Sequence, residues 1–110
     1  MGDSEEVAIQ KYGNVDVYSS SFRPMRGTIS GNEGRCLMKL VVDADTDVVV
    51  GVHMVGDAAA EIMQGMALAV KLKVKKSELD SVVGIHPSSA EEFVTMRSVT
   101  RKIRGGVVQK

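Results

Sequence analysis

Arg35-Cys36-Leu37-Met38-Lys39-Leu40-Val41-Val42, then Asp43-Ala44-Asp45-Thr46-Asp47, then Val48-Val49-Val50-Gly51-Val52-His53-Met54-Val55 is the stretch that decides the fold. Two runs of strand formers flank a polar turn cluster, which reads as a β-hairpin. The second run is apolar almost throughout, so it is expected to be a central strand with both faces at least partly covered. The three aspartates of the turn invite a calcium reading. An EF-hand loop, however, needs a glycine at its sixth position, a late glutamate and flanking helices, and none is present. The cluster therefore reads as a solvated turn. His53 is expected to pack with one ring nitrogen satisfied, since no partner spacing marks it as a ligand, and no metal site is assigned.

Upstream, Val15-Asp16-Val17-Tyr18-Ser19-Ser20-Ser21-Phe22 alternates and is rich in strand formers until Pro24, whose missing N–H ends the ladder. Before it, Ser4 to Tyr12 reads as a short lead-in helix with little core of its own, closed by Gly13. Gly27 to Gly34 is a surface loop. Its glycines are not a phosphate loop, because a strand follows where a helix N-terminus would have to face the anion.

Downstream, Gly56-Asp57 starts the longest helix, about Ala58 to Lys73, with Asp57 as N-cap. Its apolar stripe is Ala59, Ile62, Met63, Met66, Ala67 and Val70, so one face is expected to be buried, with the methionines as core filler. Ala58, Ala59, Ala60, Gly65 and Ala67 make a small-sided surface suited to a tight helix contact, inside the domain or across a dimer. Ser77-Glu78-Leu79-Asp80 after Lys75-Lys76 is a capped helical turn, and Val82-Val83-Gly84-Ile85 delivers the chain to His86.

With 110 residues the chain is read as one domain, 1–110, with strands and hairpin in 14–56, helices in 57–104 and a flexible tail in 105–110. Lys+Arg and Asp+Glu are both 14, so no overall field favours nucleic acid or an anionic membrane. The cluster Arg97, Arg101, Lys102 and Arg104 before Gly105-Gly106 reads as a frayed, solvated end. The single cysteine, Cys36, excludes an internal disulfide or a Cys-x-x-Cys pair and suits a reducing compartment. No apolar run reaches the roughly 18 residues of a membrane span, and Met1 to Glu6 lacks the features of a secretory signal. The chain is accordingly expected to act inside the cell, in cytoplasm or plastid.

Chemistry gathers in Gly84-Ile85-His86-Pro87-Ser88-Ser89-Ala90-Glu91-Glu92-Phe93-Val94-Thr95-Met96-Arg97. Ser88 followed three residues later by Glu91 is a capping box, which predicts a last helix from about Ser89 to Val99. Spacing alone leaves two readings open. Glu91 and His86 are a capping partner and a loop histidine, or they are an acid/base pair.

His86 to Arg97 resembles the C-terminal signature of the glutathione reductases, within the pyridine-nucleotide disulfide oxidoreductase family. The resemblance extends through Val50-Gly51-Val52-His53-Met54, Glu61-Ile62-Met63-Gln64-Gly65 and Ala67-Leu68-Ala69-Val70-Lys71 back to Tyr18-Ser19-Ser20-Ser21-Phe22-Arg23-Pro24-Met25. The match is to the dimerisation, or interface, domain of such an enzyme, with a plant-like tail. It implies an α+β fold, an antiparallel β-sheet with helices packed on one side. The family's first strand and Pro-Pro-x-Gly loop are missing from the chain.

The resemblance further implies a fragment of an NADPH-dependent glutathione-disulfide reductase. In that family, FAD and the redox cysteines lie on one subunit while the interface domain of the other supplies a His-Glu pair. By position His86 is the acid/base and Glu91 its orienting carboxylate, with Glu92 and Thr95 near bound glutathione. The chain has no Gly-x-Gly-x-x-Gly and no cysteine pair, so it is expected to bind no FAD or NADPH by itself and to be inactive alone. Its expected partners are a second copy, the FAD/NADPH domains of the parent enzyme, and glutathione disulfide at the shared site. The alternative is a purely structural, non-catalytic homodimerisation module. Zinc held by His53 and His86 is a distant third reading.

Overall fold

The computed structural model of the protein describes residues 2–22, 36–56, 59–82, 92–96 and 98–109. The hairpin forms as read: β2 (Cys36–Asp43) and β3 (Val48–Val55) run antiparallel, with Asp43 opposite Val48. Aspartates hold the turn. Thr46 Oγ1 donates to Asp43 Oδ2 at 2.8 Å, the Asp47 N–H donates to the Asp43 carbonyl at 2.8 Å, and Asp47 adopts φ +65°, which a short polar side chain tolerates. A β-bulge shifts the register, pairing Val41 with Gly51 but Val42 with Val49, so that Val50 is the additional residue. Val49 and Val52 consequently reach one core although three residues apart, while Val50 packs against the other.

Around this hairpin lie α1 (Glu5–Tyr12) and β1 (Val15–Phe22) on its N-terminal side. On its C-terminal side follow α2 (Ala59–Lys71), α3 (Lys76–Asp80), α4 (Glu92–Thr95), β4 (Arg101–Arg104) and β5 (Val107–Gln109). The strands form one five-stranded antiparallel sheet in the order β3-β2-β1-β4-β5, which gives the expected α+β class. β3 therefore stands at the border rather than in the centre, contrary to the reading of its apolar run. Its outer edge is nonetheless bonded. The Asp3 N–H donates to the Val50 carbonyl and the Val49 N–H to the Val74 carbonyl, both at 2.8 Å, and Gly2 bridges Gly51. A Cβ on Gly51 would lie 2.0 Å from the Asp3 carbonyl oxygen, so only glycine admits this approach. Gly2 and Asp3 thus occupy part of the outer edge of β3.

Alternation along the strands sends their side chains into two cores. Met38, Leu40, Val42, Val49 and Val52 join Leu79, Phe93, Val94 and Met96 on the face covered by α2, α3 and α4. Val15, Val17, Val41 and Ile103 face the other way and are covered by Ala8 of α1. The one-sided packing of helices thus holds for α2 to α4, whereas α1 takes the opposite face. α1 is closed by Gly13 as predicted, which at φ +77° returns its N–H to the Ile9 carbonyl; it starts one residue later than read, with Ser4 as its N-cap, the hydroxyl accepting from the Val7 N–H at 3.2 Å.

Two readings of the C-terminal part are corrected. Residues 101–109 are neither the end of a helix nor a tail but a hairpin, β4 pairing with β1 and β5 with β4. Gly105 and Gly106, at φ +61° and +81°, form the two-residue turn with both central residues left-handed that matches the twist of the flanking strands. The basic residues are not all solvated either. Arg101 makes a two-point pair with Glu5 of α1, Nε to Oε2 at 2.9 Å and Nη2 to Oε1 at 2.7 Å, and Lys39 Nζ adds a contact to Oε1 at 3.3 Å.

The Arg101 guanidinium holds the Glu5 carboxyl below its usual range; partial burial opposes this, and Lys39 adds to the lowering. A depressed carboxylate stabilises the fold above its unfolded pKa and loses that contribution as pH falls through the folded value. Glu5→Gln is thus expected to cost on the order of 1 kcal/mol at neutral pH, allowing for the partial exposure of the pair. The difference from the unsubstituted chain should shrink towards zero below the ordinary carboxylate range, as read by urea unfolding of both chains across that range.

Candidate functional site

The side chains nearest the chemical stretch are organised by α3. The segment before it is pinned to the hairpin: Val48 bridges Lys75, the Lys76 N–H donates to the Asp47 carbonyl at 2.7 Å, and the Ser77 N–H donates to Asp47 Oδ2 at 3.0 Å. Glu78 reaches back to accept from the Lys75 N–H at 2.9 Å, the carboxylate half of a capping box. So anchored, α3 turns Leu79 and Lys76 inward.

Lys76 is only 3% exposed, and a buried ammonium is costly unless every donor finds a partner. Its Nζ donates to the Met96 carbonyl oxygen at 2.7 Å and to the Asp80 carboxylate one helical turn on, and it lies 4.4 Å from the centroid of the Tyr18 ring. The ring face adds a cation–π contact. Burial pushes the Tyr18 phenol above its ordinary value, and the charges of Asp16, Asp80 and Asp47 push it the same way. Tyr18 is therefore a neutral phenol at physiological pH. Nothing in the spacing of Lys75-Lys76 marks Lys76 as buried. The sole sequence signal is the Lys76/Asp80 spacing of four, which on most helices is a solvated pair.

Through Met96, this cluster fastens α4. Phe93 and Val94 of α4 and Met96 just after it are buried in the core under β2. The last helix was predicted to reach Val99, but α4 ends at Thr95. Hydrogen-bond accounting explains the early stop. In a continued helix the Met96 carbonyl would accept from the Thr100 N–H. Instead Met96 bonds Lys76, and the Thr100 N–H goes to the Val17 carbonyl at 2.8 Å, carrying the chain into β4.

Of the predicted site residues, His86 and Glu91 lie outside the described residues, as does the Ser88 cap. Glu92 is the first residue of α4, and Thr95 is exposed on it. Thr95 thus lies on the outer side of a helix whose neighbours Phe93, Val94 and Met96 are buried.

His53 is on the α1 face of β3, and its Nε2 lies 2.9 Å from the Asp3 carbonyl oxygen. A carbonyl can only accept, so Nε2 carries the hydrogen and is not a metal ligand in this arrangement. Among the described residues, no three His, Cys, Asp or Glu side chains gather as a metal site would require.

α2 contributes no fully buried residue: Ile62, Met63, Met66 and Val70 are half-buried against the first core. Leu68 and Leu72 are 64% and 70% exposed. Apart from its chain neighbours and its own helix backbone, nothing among the described residues comes within 4 Å of a Cβ placed on Gly65, so among those residues the small-sided surface makes no tight contact there. A shallow groove of about 510 Å³ among the described residues is lined by Gly2, Gln64, Ala67, Leu68, Val70 and Lys71, a lining that does not include Thr95. Among the described residues, no helix is long and apolar enough to cross a membrane.

Comparison with known proteins places this geometry in context. The family model described as "Pyridine nucleotide-disulphide oxidoreductase, dimerisation domain" matches residues 1–97. Glutathione reductase, chloroplastic/mitochondrial, of Pisum sativum is 53% identical over 104 residues, 94% of this chain and 19% of its own length. Glutathione reductases of Burkholderia cepacia and of Nostoc sp. are 50% and 54% identical, over 89% and 88% of this chain and 22% of their own lengths. The chain therefore spans about a fifth of the length of these relatives. β4 and β5 fall beyond the residues that the family model matches.

Proposed function

The chain belongs to the pyridine nucleotide-disulphide oxidoreductase dimerisation-domain family, and on that premise we propose that it is the dimer-forming domain of an NADPH-dependent glutathione-disulfide reductase. In this reading it donates His86 and Glu91 in trans to the site of the partner subunit. The observation that carries the reading is identity of 50 to 54% with glutathione reductases over nearly the whole chain.

Among the described residues, no set of side chains fits a flavin or a dinucleotide. The groove at α2 offers Lys71 and Gln64 among apolar neighbours, and the sequence has neither a dinucleotide fingerprint nor a second cysteine beside Cys36. FAD, NADPH and the redox cysteines are therefore assigned to the remainder of the enzyme.

This chain's part in the reaction is proton management. An enzyme thiol that attacks a disulfide must lose its proton, and the attack expels a thiolate; the imidazole of His86 can take up the thiol's proton and, as imidazolium, hand it to the leaving thiolate at neutral pH. Glu91 beside the ring would favour imidazolium and fix which nitrogen faces substrate. Glu92 and Thr95 are proposed to lie near glutathione, and the exposure of Thr95 supports an outward role. The exposed Leu68 and Leu72 with open Gly65 support α2 as part of the subunit contact. A reducing compartment, plastid or cytosol, is the proposed setting; the pea relative is chloroplastic/mitochondrial by name.

Donation in trans has a signature in mixed dimers. Let the pea enzyme carry this chain in place of its own matching segment, once with His86→Gln and once with its redox cysteines replaced by serine. Each homodimer should be nearly inactive. The heterodimer should recover one working site of two, because the intact cysteines of one subunit meet the intact His86 of the other. An inactive heterodimer would overturn donation in trans, and a fully active His86→Gln homodimer would leave the structural-module alternative.

A further inference from the structure

Resting on the reading that His86 and Glu91 are the donated pair, we propose that Lys76 is a positioning residue for the disulfide-reducing half of the reaction. It would act by fixing the short helix that begins one residue after Glu91. α4 has only four residues, too few to hold its place by its own hydrogen bonds. Among the described residues, two attachments fix it. Its inner side is buried through Phe93 and Val94, and its C-terminal end is closed by the bond from Lys76 Nζ to the Met96 carbonyl at 2.7 Å.

Lys76 is itself held at three points, two of which belong to other elements. Its backbone is on the hairpin turn through the Asp47 carbonyl, its ammonium on Asp80 of α3, and the Tyr18 ring of β1 lies beneath it. The ammonium thus ties the rigid sheet to the end of α4. A shift of α4 would break this bond or expose a charge that is only 3% accessible. In this proposal Lys76 touches neither substrate nor cofactor; its action passes through the backbone of Met96.

The two half-reactions of the chimeric pea enzyme separate positioning from mere stability. Reduction of the enzyme by NADPH does not use His86 or Glu91, whereas its reoxidation by glutathione disulfide does. Lys76→Met removes the donors at nearly constant volume and is expected to slow reoxidation about 10- to 100-fold, the scale of a small misplacement of catalytic groups. The rate of reduction by NADPH per folded dimer should be unchanged. Lys76→Arg keeps the charge and the donors and should recover part of the loss. If Lys76→Met does not fold, Asp80→Asn, which keeps an acceptor but removes its charge, should show the same one-sided slowing to a smaller degree.

Equal losses in both half-reactions, or none in reoxidation, would overturn the proposal. His86→Gln measured alongside keeps the two readings apart. If His86→Gln leaves reoxidation intact, the donated acid/base fails. If it abolishes reoxidation while Lys76→Met does nothing, only the positioning role fails.

Discussion

His86→Gln, made in the pea glutathione reductase carrying this chain, is expected to lower kcat with glutathione disulfide about 100- to 10,000-fold, the usual worth of a positioned acid/base. Glutamine is close to imidazole in reach and can donate and accept hydrogen bonds, so substrate binding should suffer far less than turnover. It cannot take up a proton at neutral pH, so the expelled thiolate would have to be protonated by water. The pH dependence should change too: the limb reporting the histidine should vanish from the kcat profile, leaving the limb set by the thiols. A profile and rate like those of the unsubstituted chimera would remove His86 from the chemistry.

The second large effect is on stability. Phe93 is fully buried and occupies the first core with Met38, Leu40, Val42 and Val52. Phe93→Ala removes a ring and leaves a cavity between α4 and β2, at a cost of about 3–5 kcal/mol. Against the about 5–15 kcal/mol by which domains are typically stable, that is a fifth or more of the margin. Urea unfolding of the chain reads the loss directly. Thr95→Ala, on the exposed side of the same helix, should stay within about 0.5 kcal/mol and serves as the internal control. A small loss at Phe93 would mean that α4 is not seated as described.

What could be read from the residues, and what could not, divides by distance along the chain. The hairpin, β1 and the capped α1 declare themselves locally, through strand formers flanking Asp43 to Asp47, alternation from Val15, and Ser4 with Gly13 at the helix ends. The border position of β3 was not legible, because its apolar run is filled by a bulge that divides Val49, Val50 and Val52 between two cores. The C-terminal hairpin carried a local signal in Gly105-Gly106, but its neighbours are mostly basic. The partner that explains Arg101 is Glu5, 96 residues away.

The site divides in the same way. The proposed pair of His86 and Glu91 is read from the sequence pattern alone. The ammonium that fastens α4 is visible only once the Met96 carbonyl is seen to need a donor.

The place of β4 beside β1 also sets an order of assembly. β1, β2 and β3 are neighbours in sequence and can pair as soon as the hairpin has left the ribosome, whereas Ser19 and Thr100 meet across 81 residues. During synthesis the far edge of β1 thus stays open, a row of unpaired backbone groups able to capture another nascent chain. β4 finally closes it, and β5 then pairs with β4, so the border of the sheet passes to a strand of three residues, too short to offer another chain much of a template.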